Sequence, residues 1–275
     1  MAAQYGIYGF CYYYYWFNDH SLLETPLLRI REDASITLPF CLCWANEAWT
    51  RAWYGQNKQV LLNNDYSEST MRGFMASILP YLRHERYILA GNSPLLLVYR
   101  PEDIPNCSHW AEVWRDMAQQ AGLAGLYLVG VEALTMGVPP QEYGFDATVR
   151  FAPDWSCVQR TQIAGNPQKC CDYPGTAAAM LHRPAVSYTR YTTVFPSWDN
   201  SPRYHANSIA FLNANPGAFR RVTEVAIEEV RRAQRPEPFL FINAWNEWGE
   251  GCHLEPDKKY GFAWLEAMQA ALNTA

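Results

Sequence analysis

Residues 239–256 read FLFINAWNEWGEGCHLEP, and this stretch decides the fold of the chain. Its first four residues are apolar and follow a proline, which predicts a short buried strand. Glu247 and Glu250 come soon after that strand, three positions apart, and Gly249 and Gly251 allow the backbone between and after them to form a loop. Carboxylates directly after a strand are typical of parallel α/β folds, whose active sites gather at the carboxyl ends of the strands.

The two glutamates lie among aromatic and amide side chains, a combination that suits sugar chemistry. One carboxyl group can protonate or deprotonate an oxygen while the other supports the reacting carbon. We therefore predict Glu247 and Glu250 as a catalytic pair, with Trp245, Asn246 and His253 as ligand-binding neighbours. The alternative is a solvated acidic loop after a core strand, but the tryptophans and asparagines here are unusual for such a loop.

Composition favours a sugar-binding globular domain. The chain has 275 residues, a size that fits an α/β barrel, and aromatic residues make up 15% of it, with 11 Trp and 18 Tyr. So many Trp and Tyr residues indicate a cleft for flat, partly apolar ligands such as sugar rings. The net charge is -5 and no basic run is present, which argues against a nucleic-acid partner.

The cysteines and histidines predict neither a metal site nor another cofactor. The 8 Cys include no Cys-x-x-Cys pair and the 6 His are scattered, so we expect free thiols in a reducing compartment. The first ten residues do not resemble a signal peptide, and no apolar run is long enough to span a membrane. These features predict a cytoplasmic protein without a membrane-spanning segment, and they leave its oligomeric state open.

The whole chain, residues 1–275, is predicted to form one (β/α)-barrel domain. Helical patterns separate most of seven strand candidates, which cover residues 7–16, 36–44, 94–99, 126–131, 146–151, 191–195 and 239–243. A TIM-type (β/α)8 barrel needs eight strands, so one strand and its helix are expected to be missing at the front. Either the barrel is open, or the sequence is a fragment of a longer domain.

Polar and aromatic residues follow several of the other predicted strands as well. The second such patch, residues 44–54, is either a ligand-binding loop or a loop folded down over the barrel. By their position at strand ends, the further candidates for ligand binding are Tyr14, Trp16, Trp44, Asn46, Glu47, Trp49, Trp53, Arg100, Glu132, Trp198, Asp199 and Asn200.

Several long motifs in this sequence resemble the WbsX family. They occur in order along almost the whole chain: YGFCYYYYWF at 8–17, FCLCWANE at 40–47, LVYRP at 97–101, PSWDN at 196–200 and FINAWNEWGEG at 241–251. The resemblance implies a bacterial protein of polysaccharide or O-antigen metabolism. Members of this family are described both as glycosyltransferases and as similar to family 99 glycoside hydrolases.

The resemblance also implies a mechanism. Family 99 hydrolases are (β/α)8 barrels that cleave internal α-mannosidic bonds with retention, and their catalytic pair lies in a Glu-Trp-x-Glu-Gly segment that matches residues 247–251. By that similarity, Glu250 is the general acid/base, and Glu247 assists the 2-hydroxyl of the sugar in forming an epoxide-like intermediate. An N-terminal strand ending in a Pro-Gln-Phe-His-type motif, usual in the family, is absent from this sequence.

Three hypotheses for function follow. The first is a retaining, endo-acting glycoside hydrolase or transglycosylase that acts on an oligosaccharide or polysaccharide. The second is a glycosyltransferase of O-antigen, lipopolysaccharide or capsule synthesis, which we rank lower because the sequence has neither a Gly-rich dinucleotide turn nor an Asp-x-Asp pair. The third is a carbohydrate-binding protein without catalytic activity.

Overall fold

Seven parallel strands form the central sheet, and their spatial order is the order in which they occur along the chain. The computed structural model describes residues 1–51, 56–158, 160–161, 169–204 and 208–274. The seven strands are β1 (Phe10–Phe17), β2 (Phe40–Trp44), β3 (Ser93–Val98), β4 (Tyr127–Glu132), β5 (Ala147–Arg150), β6 (Arg190–Val194) and β7 (Leu240–Ile242). Each matches one of the seven strands predicted from the sequence, to within a few residues at either end.

Helices follow most of the strands and cover the outside of the curled sheet. They are α1 (Thr25–Glu32), α2 (Glu68–Leu82), α3 (Cys107–Gln120), α4 (Tyr173–Leu181), α5 (Ser201–Tyr204), α6 (Pro216–Arg232) and α7 (Ala263–Thr274). The start of α6 is fixed locally, because the Asn215 side chain accepts a hydrogen bond from the Ala218 backbone amide at 3.0 Å and Pro216 occupies the first helical position. Over the described residues, no helix combines the length and the apolar character that crossing a bilayer requires.

The outer face of the sheet is sealed by a cluster of large aromatic rings. Trp44 at the end of β2 stacks on Phe74 of α2, with ring centroids 4.2 Å apart, and Trp114 of α3 meets both rings edge-on. All three side chains have no measurable exposure. The Trp114 indole N–H donates to the Met71 carbonyl oxygen at 3.1 Å, so its one polar atom is satisfied.

The opposite side of the strands, which we call the inner face, carries the alternate residues. Tyr14 of β1 contacts Phe74 and Tyr81 of α2. Its neighbours in the strand, Tyr13 and Tyr15, therefore point to the inner face, where Tyr13 lies edge-on to Tyr99 at 5.8 Å.

The sheet curls but does not close. Within the described part of the chain, β7 pairs only with β6, and the free edge of β1 carries only a short antiparallel strand, His20–Leu22, at its carboxyl end. The rings of Phe10 and Trp245 make a contact at 5.4 Å between these two ends of the sheet. Over the described residues the barrel is therefore open, which both alternatives from the sequence allow.

A small second sheet, not predicted from the sequence, lies after β5. The strands Arg160–Thr161, Lys169–Asp172 and Ile209–Leu212 form it. The segment between β5 and β6 also contains helix α4, and its strand Lys169–Asp172 pairs with a strand that lies beyond β6 in the chain. Pairing over this distance leaves no local pattern in the sequence.

We predict that Phe74→Ala lowers the free energy of unfolding by about 3–5 kcal/mol, because it removes a fully buried ring against which Trp44 and Trp114 pack. Urea unfolding, followed by the midpoint and slope of the transition, measures the change. Val225→Ala on α6 is the matched control, since Val225 is 47% exposed and is expected to change stability by no more than about 0.5 kcal/mol. Equal effects of the two substitutions would contradict the importance of this ring cluster.

Candidate active site

The segment after β7 folds into a short hairpin that presents both glutamates. Residues Asn246–Glu247 pair antiparallel with Cys252–His253, and a single 3-10 turn, Trp248–Glu250, joins them. Gly251 has a φ of 60°, and a Cβ atom there would lie 3.0 Å from the backbone of Asp199. This close approach lets the Asp199 amide donate to the Glu250 carbonyl oxygen at 2.7 Å, which ties the hairpin to the loop after β6.

Arg203 of α5 joins the two glutamates. Its Nη2 lies 2.9 Å from Oε1 of Glu247, and its Nη1 lies 3.0 Å from Oε1 of Glu250. A Cβ atom on Gly249 would lie 2.5 Å from the guanidinium, so any other residue there would make the end of the Arg203 side chain shift. Arg203 was not among the site residues predicted from the sequence. The only available signal was a general one, that two neighbouring carboxylates in a partly buried site need a counter-charge.

Glu250 has the electrostatic properties of a proton donor. Burial, followed by the nearby charge of Glu247, raises its pKa from 4.5 to about 7, although the Arg203 guanidinium acts in the opposite direction. Near neutral pH, Glu250 therefore exists in both protonated and ionised forms, which suits a general acid that must later act as a base.

A second ion pair lies beyond the ends of β2 and β3. Arg100 Nη2 is 3.1 Å from Glu47 Oε2, and Arg100 Nη1 is 3.6 Å from Asp103 Oδ2. The buried side chain of Asn46 donates to the Arg100 carbonyl oxygen at 2.7 Å and accepts from the Arg100 amide at 2.8 Å. Asn46 thus holds Arg100 in place instead of facing a ligand. Burial raises the pKa of Glu47, and the charge of Arg100 partly offsets this.

These two groups lie within electrostatic reach of each other. The charge of Glu47 contributes to the raised pKa of Glu250 although the two residues follow different strands. Burial is the main cause of the raised pKa of Tyr15, and the charges of Glu247 and Glu47 add to it. Tyr99 is affected in the same way by Glu47 and Glu250. We call this the carboxylate pocket and define it by Glu47, Arg100, Arg203, Glu247 and Glu250.

Three predicted ligand-binding residues lie on the wrong face of the sheet. Tyr14 donates a hydrogen bond to Ser77 at 3.0 Å, Trp16 donates to the Thr70 carbonyl oxygen at 3.3 Å, and Trp44 lies in the outer ring cluster. All three are buried under the helices and have no access to the pocket. Strand β1 is aromatic on both faces, so its sequence did not reveal which residues point inward. Tyr15, which does reach the pocket, was missed for this reason, and Tyr99, which directly follows β3, was not predicted either.

Glu132 is also placed away from the pocket. Its carboxylate is 5% exposed, accepts a hydrogen bond from Thr148 Oγ1 at 3.0 Å and lies 4.0 Å from Nη1 of Arg190. Thr148 and Arg190 thus supply the polar contacts that a buried carboxyl group needs. Its predicted role in ligand binding is therefore replaced by a structural one.

The motif after β6 mainly shapes the loop that carries Arg203. Trp198 is buried and packs edge-on against Trp155 at 5.2 Å. The Asn200 side chain accepts from the Ile209 amide at 2.7 Å, and Asp199 binds the hairpin through its backbone. Trp198 and Asn200 were predicted to contact ligand, and their burial instead makes them part of the support for α5.

The remaining candidates lie at the rim or outside the described residues. Trp49 borders the pocket, because its ring contacts Tyr15 at 5.4 Å. Trp245 packs against Phe10, and Asn246 is exposed on the hairpin. His253 lies under the ring of Trp248. Trp53 falls outside the residues that the structure describes.

Across those that it does describe, no group of three or more His, Cys, Asp or Glu side chains is arranged to hold a metal ion.

Comparison of the fold with solved structures finds sugar-processing enzymes. A "glycoside hydrolase-like protein" superimposes with a TM-score of 0.65 at 14% identity, covering 100% of this chain and 84% of that one. The GH99 endo-alpha-mannosidase from Bacteroides thetaiotaomicron superimposes with a TM-score of 0.62 at 14% identity, covering 99% and 76%. At this level of identity, the similarity establishes the TIM-barrel type of fold.

Sequence comparison gives the family. Two strains of Xanthomonas campestris pv. campestris each contain a relative described as "Uncharacterized protein WxcX", 39% identical over 282 residues. The match covers the whole of this chain but only 40% of the length of these relatives. The profile of the family described as "Glycosyltransferase WbsX" matches residues 1–268. Because this match spans nearly the whole chain, the protein belongs to the WbsX glycosyltransferase family.

Proposed function

We propose that the chain carries the active site of a retaining, endo-acting enzyme that cleaves or transfers glycosidic bonds in a polysaccharide. The observation that supports this most directly is the pair Glu247 and Glu250, held by one guanidinium, in which the pKa of Glu250 is raised to about 7. The fold shared with a GH99 endo-alpha-mannosidase makes α-linked mannans reasonable first substrates.

In this proposal, Glu250 donates its proton to the glycosidic oxygen as the bond to the anomeric carbon breaks. Glu247 accepts the proton of the 2-hydroxyl, whose oxygen attacks the anomeric carbon and forms an epoxide-like intermediate. Glu250, now a carboxylate, then takes a proton from the incoming water or sugar hydroxyl that opens this intermediate. In the same step Glu247 returns its proton to the 2-oxygen, which restores the 2-hydroxyl and both carboxyl groups to their starting forms. Arg203 contacts both carboxyl groups and stabilises the negative charge that Glu250 gains after its first proton transfer.

A glycosyltransferase that uses a sugar nucleotide is the second candidate, because the family is described by that activity. The charges of the pocket favour it less. Glu47, Glu247, Glu250 and the adjacent Asp103 supply four carboxyl groups against the two guanidiniums of Arg100 and Arg203. Even with Glu250 protonated this set is net negative, which opposes the binding of a diphosphate group.

We predict that Glu250→Gln lowers turnover by about 100-fold or more, because the amide of glutamine has no acidic proton to transfer to the leaving oxygen. The test is product analysis by chromatography and mass spectrometry after incubation with α-linked mannans and bacterial O-antigen polysaccharides. Glu68→Gln, an exposed substitution on α2, is the matched control and is expected to retain full activity.

Turnover by Glu250→Gln at the wild-type rate would contradict the role of this residue. If neither the wild type nor either variant yields products, hydrolysis of these substrates is excluded. Calorimetric titration with sugar nucleotides then separates the transferase from a carbohydrate-binding protein without catalytic activity.

The pH dependence of kcat/KM is expected to report Glu250 and its interaction with Arg203. Since the protonated acid is the active form, kcat/KM should fall about tenfold per pH unit above a pKa of about 7. Arg203→Gln removes a cation that lowers this pKa, so the alkaline limb should move to higher pH. If Arg203→Gln loses activity while the alkaline limb of its kcat/KM profile stays at the same pH, Arg203 affects only the folding of the loop.

The stability of the folded chain offers a test that needs no substrate. The pKa of Glu250 is raised in the folded state, so its contribution to stability is complete below 4.5 and is lost as the pH rises through about 7. Glutamine does not ionise, so its contribution does not change with pH. As the pH rises from 5 to 8, the free energy of unfolding of Glu250→Gln should therefore increase by about 1–3 kcal/mol relative to that of the wild type. Urea unfolding of both proteins at pH 5 and pH 8 measures this change. If the difference in unfolding free energy between the two proteins is the same at both pH values, the raised pKa is refuted.

A further inference from the structure

Trp248 is a large aromatic residue at the surface that is nevertheless held in a fixed position. It lies between the two glutamates in sequence and is 46% exposed. One face of its ring stacks on His253, with centroids 3.7 Å apart and planes 19° from parallel. Its indole N–H donates to Glu255 Oε2 at 2.6 Å. The ring is therefore fixed by contacts on one face and at one edge.

The support beneath this ring continues into the core. His253 Nε2 lies 3.3 Å from Oδ2 of Asp257, and the same carboxylate oxygen accepts from the indole N–H of Trp264 at 3.2 Å. Trp264 belongs to α7 and is buried. The other oxygen of Asp257 accepts two backbone amides, those of Lys259 and Tyr260. His253 is thus held by a side chain that is itself fixed by three other hydrogen bonds.

A rigid ring that is partly open to solvent is suited to bind a flat ligand. Two features of Trp248 are unfavourable for folding alone. A large apolar surface of its ring stays in water, and the contacts of the ring restrict its rotamers. The C–H face of a pyranose matches an exposed indole face, and the carboxylate of Glu255 at the ring edge offers an acceptor for a sugar hydroxyl.

The position of Trp248 relative to the carboxylate pocket indicates which sugar it would contact. Glu247 pairs with Cys252, and Asn246 pairs with His253, so adjacent residues of the hairpin alternate between its two faces. Trp248 stacks on His253 and lies on the face opposite Glu247. A sugar on this ring therefore lies outside the reacting position.

We propose that Trp248 is the platform of an outer subsite that binds a flanking pyranose of the polysaccharide substrate, an inference that rests on the glycosidic function proposed above. The subsite contributes to the binding of long substrates, and it does not take part in proton transfer.

The test uses the Glu250→Gln protein, which binds without turnover, labelled with fluorotryptophan. Comparison with the additional substitution Trp248→Phe assigns the fluorine NMR signal of Trp248. The probes are an α-linked manno-pentasaccharide and the corresponding disaccharide. We expect the pentasaccharide to shift this signal, and Trp248→Ala to weaken its binding about tenfold while changing disaccharide binding much less.

Two further variants separate stacking from a general effect on the fold. Trp248→Phe keeps a flat ring and should retain most of the affinity. Tyr8→Ala removes another exposed ring, 65% exposed and before β1 at the opposite end of the strands, and should leave binding unchanged. An unmoved Trp248 signal, equal affinities of Trp248→Ala and its parent, or no binding of the pentasaccharide overturns the subsite. The two proposals can also fail separately. If pentasaccharide binding depends on Trp248 but the wild-type protein forms no product from it, the subsite is supported and the catalytic role of Glu250 is contradicted.

Discussion

Side chains alternate between the two faces of a β-strand, and the rest of this structure depends on that constraint. On the outer face, Trp44 fills the space between the sheet and helices α2 and α3. On the inner face, Tyr15 and Tyr99 reach the carboxylate pocket from strands that the same helices hold in place. Stability and chemistry thus come from alternate residues of the same short segments. A change of one residue in register would exchange the two sets.

The pocket itself combines burial with an incomplete balance of charge. Arg203 neutralises part of the charge of Glu247 and Glu250, and Arg100 does the same for Glu47. Burial and mutual repulsion still leave Glu250 with a pKa of about 7, so one carboxyl group can donate a proton beside another that is available to accept one. Such a pocket suits a neutral sugar better than an anionic one, because added negative charge would meet carboxylates on both sides.

Much of the fold could be read from the sequence, and less of the site. The seven strands and the loop with Glu247 and Glu250 follow clear local patterns of apolar runs and turn residues, although the hairpin form of that loop was not predicted. The inner face of β1 could not be identified, because Tyr13 and Tyr14 are of the same type and point in opposite directions. Arg203 was missed because it meets the glutamates only through the tertiary fold, from a helix of four residues.

Gly249 shows how a residue without a side chain can control acidity. The guanidinium of Arg203 occupies the space that the Cβ atom of any other residue would need. One added methyl group would make the guanidinium shift, and its distances to both carboxyl groups would change with it, although no charged residue had been replaced. The smallest residue in the loop thus takes part in setting the position of the cation that lowers the pKa of Glu250.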